Sequence, residues 1–444
     1  MKTIFMLVFL TTCAASVFGM IPQPPVQAIA LEGKLNYPFI SERGGIAFLQ
    51  LTVTTANIGV QSDRKPMNLA IVLDRSGSMG DERKMEYVKQ AFHSLVDQLR
   101  PSDILSVVIY DDVIDVIRRA HRVGNEKSEI NRLIDEVYPR GSTNLGGGLM
   151  EGLHQAERYA SSGYINRVVL LSDGLANVGV TDPTELNRNA KRYRNYSISI
   201  TTMGVGLDYN ENLMMGLAES GGGNYYFIER PTSLASIVRK EMNVLSSVLA
   251  QNGTININLG RNVRVNDIIG CDYRGDNGSY VIPVGDLCAN ERREFTVELV
   301  VPEGTGAMNV ANGELRYESS VISREYPTFS AAVKYTKDFV EIERNRDKDV
   351  QAKADIAVST RQVDKAMKAM DAGDHAAAEQ HLQKAQSIIS ASPAVSAAGA
   401  SGTALRQQLG KMESYQKELK DSSGDLRRAK KSIQYQNYQT QKNK

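Results

Sequence analysis

The chain is short of several residue types that mark specialised classes of protein. It has 444 residues, no tryptophan, three cysteines and five histidines, and its formal net charge is only +1 at pH 7. So few cysteines exclude a disulfide-dense scaffold, and the near balance of charge indicates neither a nucleic-acid nor a membrane partner. After the first residues, no apolar run approaches the roughly 20 residues that a membrane-spanning helix needs. We therefore expect a globular chain of two domains and an appendage, without an integral membrane segment.

The first residues have the pattern of a signal peptide over positions 1–19. Lys2 gives a positive start, the run from Ile4 to Leu10 is apolar, and Val17-Phe18-Gly19 provides a cleavage point. We expect the mature protein to be exported: periplasmic, cell-surface or secreted. A lipoprotein site at Cys13 is the alternative, disfavoured because the threonine before it is larger than the small residue such sites require.

Removal of a signal peptide would leave two cysteines, Cys271 and Cys288, in an oxidising compartment. They either form one disulfide or fill two small apolar positions. The sequence leaves both readings open, because it does not tell whether the two β-carbons meet.

The hydrophobic pattern divides the rest of the chain into regions. An alternating strand near Phe48 to Asn57 falls in positions 20–65, and short strands with turn signals return over 250–338, which predicts a β-sandwich. Between them, over 66–249, strands that are apolar on both faces alternate with amphipathic helices, which predicts a doubly wound, mostly parallel α/β sheet. A lone alternating strand cannot bury its own face, so we expect the α/β domain to be inserted in the sandwich. The predicted buried strands of the α/β domain begin at Asn68, Ile104, Arg167 and Ser197.

The last hundred residues have a helical pattern. A hairpin of two helices is predicted first, then one helix from about Thr403 to Ser432, which together make a helical region over 339–432. The Gln/Asn/Lys-rich positions 433–444 predict a disordered tail. Packing of these helices or self-association through them is their expected role.

Five oxygen-bearing residues follow predicted strands or precede a helix at one edge of the α/β sheet. A buried strand runs directly into Asp74-Arg75-Ser76-Gly77-Ser78, Thr143 precedes a helix, and Asp173 follows another strand. Open α/β sheets place ligand sites at the carboxyl ends of their strands, so these side chains should converge. One Asp-x-Ser-x-Ser alone would be read as a helix cap. Five positions in the right order favour a metal site.

This combination resembles the von Willebrand factor type A (VWA) domain. The resemblance covers roughly Met67 to Val248 and is closest to exported proteins related to calcium-activated chloride-channel regulators and inter-alpha-trypsin inhibitor heavy chains. It implies a metal-ion-dependent adhesion site in which Asp74, Ser76, Ser78, Thr143 and Asp173 hold a divalent cation. It further implies that an acidic side chain of a protein partner completes the coordination of the ion.

The donor types agree with that implication. Carboxylates and hydroxyls, without Cys or His, suit Mg²⁺ best, with Mn²⁺ or Ca²⁺ as alternatives, and do not suit Zn²⁺. No zinc-protease H-E-x-x-H or hydrolase G-x-S-x-G occurs in the sequence, so we expect no enzymatic activity.

The leading hypothesis is an exported, metal-dependent protein-binding module of adhesion type. The alternative is an envelope assembly scaffold whose C-terminal helices bind the partner. A VWA domain that serves an AAA-type ATPase is disfavoured by the predicted export.

Overall fold

The computed structural model describes residues 28–57, 64–161, 163–421 and 425–442. The predicted signal peptide, with Cys13, lies outside the described residues. Three strands come first: β1 (Ile29–Leu35), β2 (Phe39–Ser41) and β3 (Gly45–Thr55).

The middle of the chain folds as a six-stranded sheet with helices on both faces. Its strands are β4 (Met67–Asp74), β5 (Ile104–Tyr110), β6 (Ile114–Arg122), β7 (Ile165–Ser172), β8 (Ile198–Val205) and β9 (Gly222–Ile228). Their order is β6-β5-β4-β7-β8-β9, and β6 runs antiparallel to β5 while the other neighbours are parallel. The chain adds β5 and β6 on one side of β4 and β7, β8 and β9 on the other, so the strand order reverses between β4 and β7. Such switch points open a crevice at the carboxyl ends of the strands.

Two apolar cores cover the two faces of this sheet. The helices are α1 (Lys84–Gln98), α2 (Lys127–Asp135), α3 (Leu145–Glu157), α4 (Pro183–Arg194), α5 (Glu211–Gly221) and α6 (Leu234–Ser246). Helices α1, α2 and α6 contribute to one core, and α3, α4 and α5 contribute to the other. Every residue of β4 and β7 is buried, which explains their uninterrupted apolar sequences.

The strands on either side of the α/β domain form a β-sandwich. The later strands are β10 (Val248–Leu259), β11 (Arg264–Ile269), β12 (Arg274–Asp276), β13 (Ser279–Cys288), β14 (Arg292–Val301), β15 (Ala307–Glu318) and β16 (Thr328–Thr336). One sheet has the order β1-β3-β14-β11 and the other β12-β13-β10-β15-β16-β2. Strand β3 pairs along its length with β14, and β2 pairs with β16. The predicted insertion of the α/β domain into a sandwich is confirmed.

The C-terminal region is helical and packs on both domains. Its helices are α7 (Phe339–Arg344), α8 (Lys348–Asp371), α9 (His375–Ser390), α10 (Ala400–Asp421) and α11 (Leu426–Gln441). The prediction of a single helix from Thr403 to Ser432 is wrong, because α10 and α11 are separate helices.

The prediction of a disordered tail over 433–444 is also wrong as far as Gln441. The rings of Tyr435 and Tyr438 on α11 stack edge-on against Tyr225 of β9, with centroids 5.7 and 5.6 Å apart. Tyr438 is 2% exposed and belongs to a core of the α/β domain. Tertiary contact therefore orders a segment whose composition alone favours disorder.

The two cysteines are free thiols and lie in different places. Cys288 is part of an α/β core, whereas Cys271 packs against the core of the sandwich. Burial raises the pKa of each thiol to about 12. The structure therefore agrees with the second alternative, in which the two cysteines fill separate small apolar positions and form no disulfide. Among the helices of the described ranges, none is long and apolar enough to cross a bilayer.

Candidate metal centre at the switch point

The five predicted ligands lie together where β4 and β7 end. Asp74 is the last residue of β4, and Asp173 comes directly after β7. Ser76 directly precedes a short 3-10 helix (Gly77–Arg83) that follows β4, and Ser78 lies in its first turn. Thr143 lies in the loop before α3. The crevice between two neighbouring parallel strands is thus lined by oxygen atoms from three loops.

Asp74 is a buried carboxylate held by neutral donors. Its Oδ1 accepts from the Ser76 backbone N–H (2.8 Å), and its Oδ2 accepts from the hydroxyls of Ser172 (2.7 Å) and Tyr110 (3.3 Å). No basic side chain among the described residues forms an ion pair with it. Burial therefore dominates and raises the pKa of Asp74 to about 6. A cation bound beside this group would supply the charge compensation that its own surroundings lack.

The two serines connect Asp74 to Asp173. The Ser76 and Ser78 hydroxyl oxygens are 3.3 Å apart, and the Ser78 hydroxyl donates to Asp173 Oδ1 at 2.8 Å. Asp173 is fully buried, whereas Ser78 is partly exposed. Solvent therefore reaches the cluster from the side of Ser78 and not from the side of Asp173.

Thr143 faces the same space from the third loop. Its backbone is fixed by Asn177, whose side chain accepts the Thr143 N–H (2.9 Å) and whose N–H donates to the Thr143 carbonyl (3.1 Å). A β-carbon added to Gly174 would lie 3.2 Å from the Thr143 hydroxyl and 3.7 Å from that of Ser78. The glycine after Asp173 therefore keeps side-chain atoms out of the gap between the two hydroxyls.

A layer of ion pairs supports these loops from outside. Arg75, which stands between Asp74 and Ser76 in the sequence, is buried. It donates to Asp111 (2.9 Å) and Asp115 (2.5 Å), and Arg140 also donates to Asp111 (2.7 Å). Although burial opposes ionisation, hydrogen bonds from the Val113 N–H and the two arginines hold the pKa of Asp111 below its usual range. The Asp111 carboxylate therefore holds these loops in place through its contacts with Arg75, Arg140 and Val113.

The donor set fits a hard divalent cation. Two carboxylates and three hydroxyls are the oxygen ligands that Mg²⁺, Mn²⁺ and Ca²⁺ prefer, and no softer ligand lies among them. The described residues contain no group of three or more His, Cys, Asp or Glu side chains able to hold a metal. A site made of carboxylates and hydroxyls is of another kind, because hydroxyls and water would complete the coordination of an ion held there.

The fold and the position of this oxygen cluster are those expected of a VWA domain. Comparison with known families agrees: the von Willebrand factor type A domain matches residues 68–240. This chain contains a VWA domain. Such domains typically mediate protein–protein interaction or adhesion, often through a divalent cation.

Curated relatives match less than half of the chain. The uncharacterized protein YfbK of Escherichia coli is 33% identical over 185 residues, which make up 41% of this chain and 32% of that protein. Inter-alpha-trypsin inhibitor heavy chain H2 of Mesocricetus auratus is 28% identical over 202 residues, 44% of this chain and 21% of that protein. The predicted resemblance to the latter group is confirmed. In both cases the match spans a third or less of the relative.

Most of the architecture has a counterpart among solved structures. A von Willebrand factor type A protein from Catenulispora acidiphila superposes with a TM-score of 0.67 at 19% identity, covering 88% of this chain and 91% of that one. At this identity the likeness concerns the fold. Its coverage extends beyond the VWA domain to most of the chain.

Sequence reasoning missed one charged residue at the site. The ammonium group of Lys84, the first residue of α1, lies 2.7 Å from Asp173 Oδ2, and the side chain is buried. Its neighbours Asp81, Glu82 and Arg83 make the segment look like a solvated charge run. No signal in the sequence separates Lys84 from that run.

Proposed function

We propose that the chain is an exported, non-enzymatic binding protein of adhesion type. In this proposal the site formed by Asp74, Ser76, Ser78, Thr143 and Asp173 holds Mg²⁺, with Mn²⁺ or Ca²⁺ as substitutes. An exposed acidic side chain of a protein partner then binds the ion. Export rests on the pattern of positions 1–19.

The observation that carries the proposal is the state of Asp74. This carboxylate is fully buried and accepts only neutral hydrogen bonds, in a cluster with four more oxygen-bearing side chains. An isolated buried charge is costly, and a bound cation is the compensation that this donor set can accept. The partly exposed Ser78 marks the side from which a partner could reach the ion.

The absence of catalysis is supported by what the serines contact. The hydroxyls of Ser76 and Ser78 are engaged with each other and with Asp173, and a histidine base is not among those partners. A nucleophilic serine needs a base within hydrogen-bond reach.

The scaffold alternative gives the partner to the C-terminal helices. Helix α11 places Tyr438 in a core of the VWA domain, and its Asn437 donates to Asp364 of α8 (2.7 Å). Much of this helix is thereby engaged with the chain itself, which favours the metal-dependent hypothesis.

The test is a calorimetric titration of the full mature chain with Mg²⁺, together with Asp74→Ala. The wild type should bind the ion, and the variant should not, because it loses the carboxylate that anchors it. At an ion concentration of 100 times Kd, binding should stabilise the wild type alone by about 2.7 kcal/mol. Circular dichroism checks that the variant is folded.

Partner capture with and without chelator separates the two hypotheses. An adhesion module should lose its partner in chelator and through Asp74→Ala, whereas a helical scaffold should retain it in both. Equal Mg²⁺ binding by the wild type and Asp74→Ala would refute the proposed site.

A further inference from the structure

Lys84 brings a positive charge into a site that is built for a cation. Its side chain is 5% exposed, and its ammonium group lies 2.7 Å from Asp173 Oδ2 and 3.4 Å from the Ser78 carbonyl oxygen. The two carboxylate oxygens of Asp173 therefore have different partners. Its Oδ1 accepts from the Ser78 hydroxyl inside the cluster, while its Oδ2 faces Lys84.

Local stability does not explain this placement. Lys84 begins α1, and a helix N-terminus disfavours a cation. The two residues before it, Glu82 (φ 50°) and Arg83 (φ 58°), both adopt the left-handed conformation, which is strained for residues other than glycine. Burial of the ammonium group adds a desolvation cost. Strained backbone that delivers a buried charge to a cluster of ligands is typical of functional sites.

The charge of Lys84 changes what a bound ion would do. Asp74 and Asp173 together carry the two negative charges that would neutralise a divalent cation. Lys84 offsets one of them through its ion pair with Asp173. A cation in this site therefore keeps about one unit of positive charge, which an anionic ligand on the open side would neutralise.

We propose that Lys84 is a positioning residue that has opposite effects on two affinities, that of the site for the cation and that of the bound cation for an acidic group. It weakens binding of the cation and strengthens binding of an acidic group to the cation. This inference rests on the proposed function and adds to it, because it names the residue that makes the ion receptive to a carboxylate.

The experiment uses Mn²⁺ and acetate as probes of the full chain. Calorimetry gives the Mn²⁺ affinity, and water-proton relaxation reports acetate as it displaces water from the bound ion. Lys84→Met should bind Mn²⁺ roughly tenfold more tightly, because a repulsive charge is removed, and should bind acetate several-fold more weakly. A residue with a merely structural role would not move the two affinities in opposite directions.

Three further variants complete the design. Lys84→Arg keeps the charge and should behave as the wild type, and Lys84→Gln should reproduce the signs seen with Lys84→Met. Lys65→Met is the matched control, since Lys65 is another buried lysine, bonded to Gln251 beyond the opposite end of β4. It should change neither affinity.

Two results would count against the inference in different ways. If folded Lys84→Met and Lys84→Gln bind Mn²⁺ no more tightly than the wild type, the role of Lys84 is overturned while the metal site stands. If the folded wild type fails to bind Mn²⁺ and Mg²⁺, the proposed function itself falls, and this inference with it.

Discussion

The two ends of strand β7 carry buried charges in opposite arrangements. Near its amino end, Arg167 donates to Asp286 of β13 (2.8 Å) and to Thr201 (3.0 Å), and it lies 3.7 Å from Glu241. Just past its carboxyl end, Asp173 belongs to the oxygen cluster of the candidate metal centre. The first group joins the VWA domain to the sandwich and is closed to solvent; the second is open on one side.

The difference lies in what compensates each carboxylate. Glu241 accepts from Thr201, Asn224 and Tyr226 at 2.6 to 2.8 Å, and although burial opposes ionisation, Arg167 and these donors hold its pKa below the usual range. At the open end Asp173 pairs with Lys84, but Asp74, the last residue of β4, has hydrogen bonds alone, and burial raises its pKa. A buried charge with a complete set of partners indicates a structural role. A buried charge without a counter-charge indicates a site where a ligand of opposite charge binds.

The largest effect is expected at the closed end. Arg167→Met leaves the carboxylates of Glu241 and Asp286 buried without their guanidinium partner, and breaking such a network costs about 3–5 kcal/mol. Urea unfolding should show this loss. The matched control is Arg75→Met at the open end, which should cost less because Asp111 keeps Arg140 and the Val113 N–H. A loss below about 1 kcal/mol for Arg167→Met would remove the structural role assigned to the closed network.

Much of this arrangement could be predicted from the sequence, and the limits have physical causes. Buried strands such as β4 are evident in the sequence because both of their faces must be apolar. The five oxygen-bearing residues follow strands or precede a helix, which places them at the same edge of the sheet. Strand β6 escaped prediction because it is a polar edge strand, Ile114–Arg122, whose pattern carries little apolar signal. Strand β9 begins with Gly222 and Gly223, which predict a turn.

The closed network and α11 could not be predicted for another reason. Arg167 and Asp286 are 119 positions apart, and Tyr438 meets Tyr225 across 213 positions. Contacts between such distant segments have no local pattern. The same holds for Lys84, whose role depends on Asp173 rather than on the charges beside it in the sequence.

A carboxylate in the helical region provides an intermediate case. Asp364 of α8 accepts from the side chains of Asn437 and Gln441 (both 2.7 Å), and no basic residue of the described ranges forms an ion pair with it. Burial raises its pKa to about 6. It therefore resembles Asp74 in having no counter-charge, yet its hydrogen-bond partners are two side-chain amides rather than hydroxyls.

The raised pKa of Asp364 predicts a pH dependence of stability. The folded state holds this proton more tightly than the unfolded state, so the stabilisation is complete below about pH 4 and is lost as pH rises through 6. Between these values the wild type should lose about 1–2 kcal/mol relative to Asp364→Asn, after allowance for partial solvent screening. Urea unfolding from pH 4 to 7 measures the difference, which Mg²⁺ should not alter. Parallel pH profiles for the two proteins would contradict the assignment.

The smallest effect is expected from a single hydroxyl at the open end. Thr143→Ala removes one neutral donor and leaves the backbone bonds to Asn177 and both carboxylates in place. Mn²⁺ affinity should therefore fall only several-fold, in line with the roughly 1 kcal/mol of one neutral contact. Acetate binding to the Mn²⁺-loaded protein should fall further, because we expect this hydroxyl to engage the ion when an acidic group arrives. Thr143→Ser, which keeps the hydroxyl, should restore both affinities.

If Thr143→Ala instead removed Mn²⁺ binding as completely as Asp74→Ala, the hydroxyl would be as necessary as a buried carboxylate. The distinction drawn here between charge compensation and the remaining ligands would then be wrong.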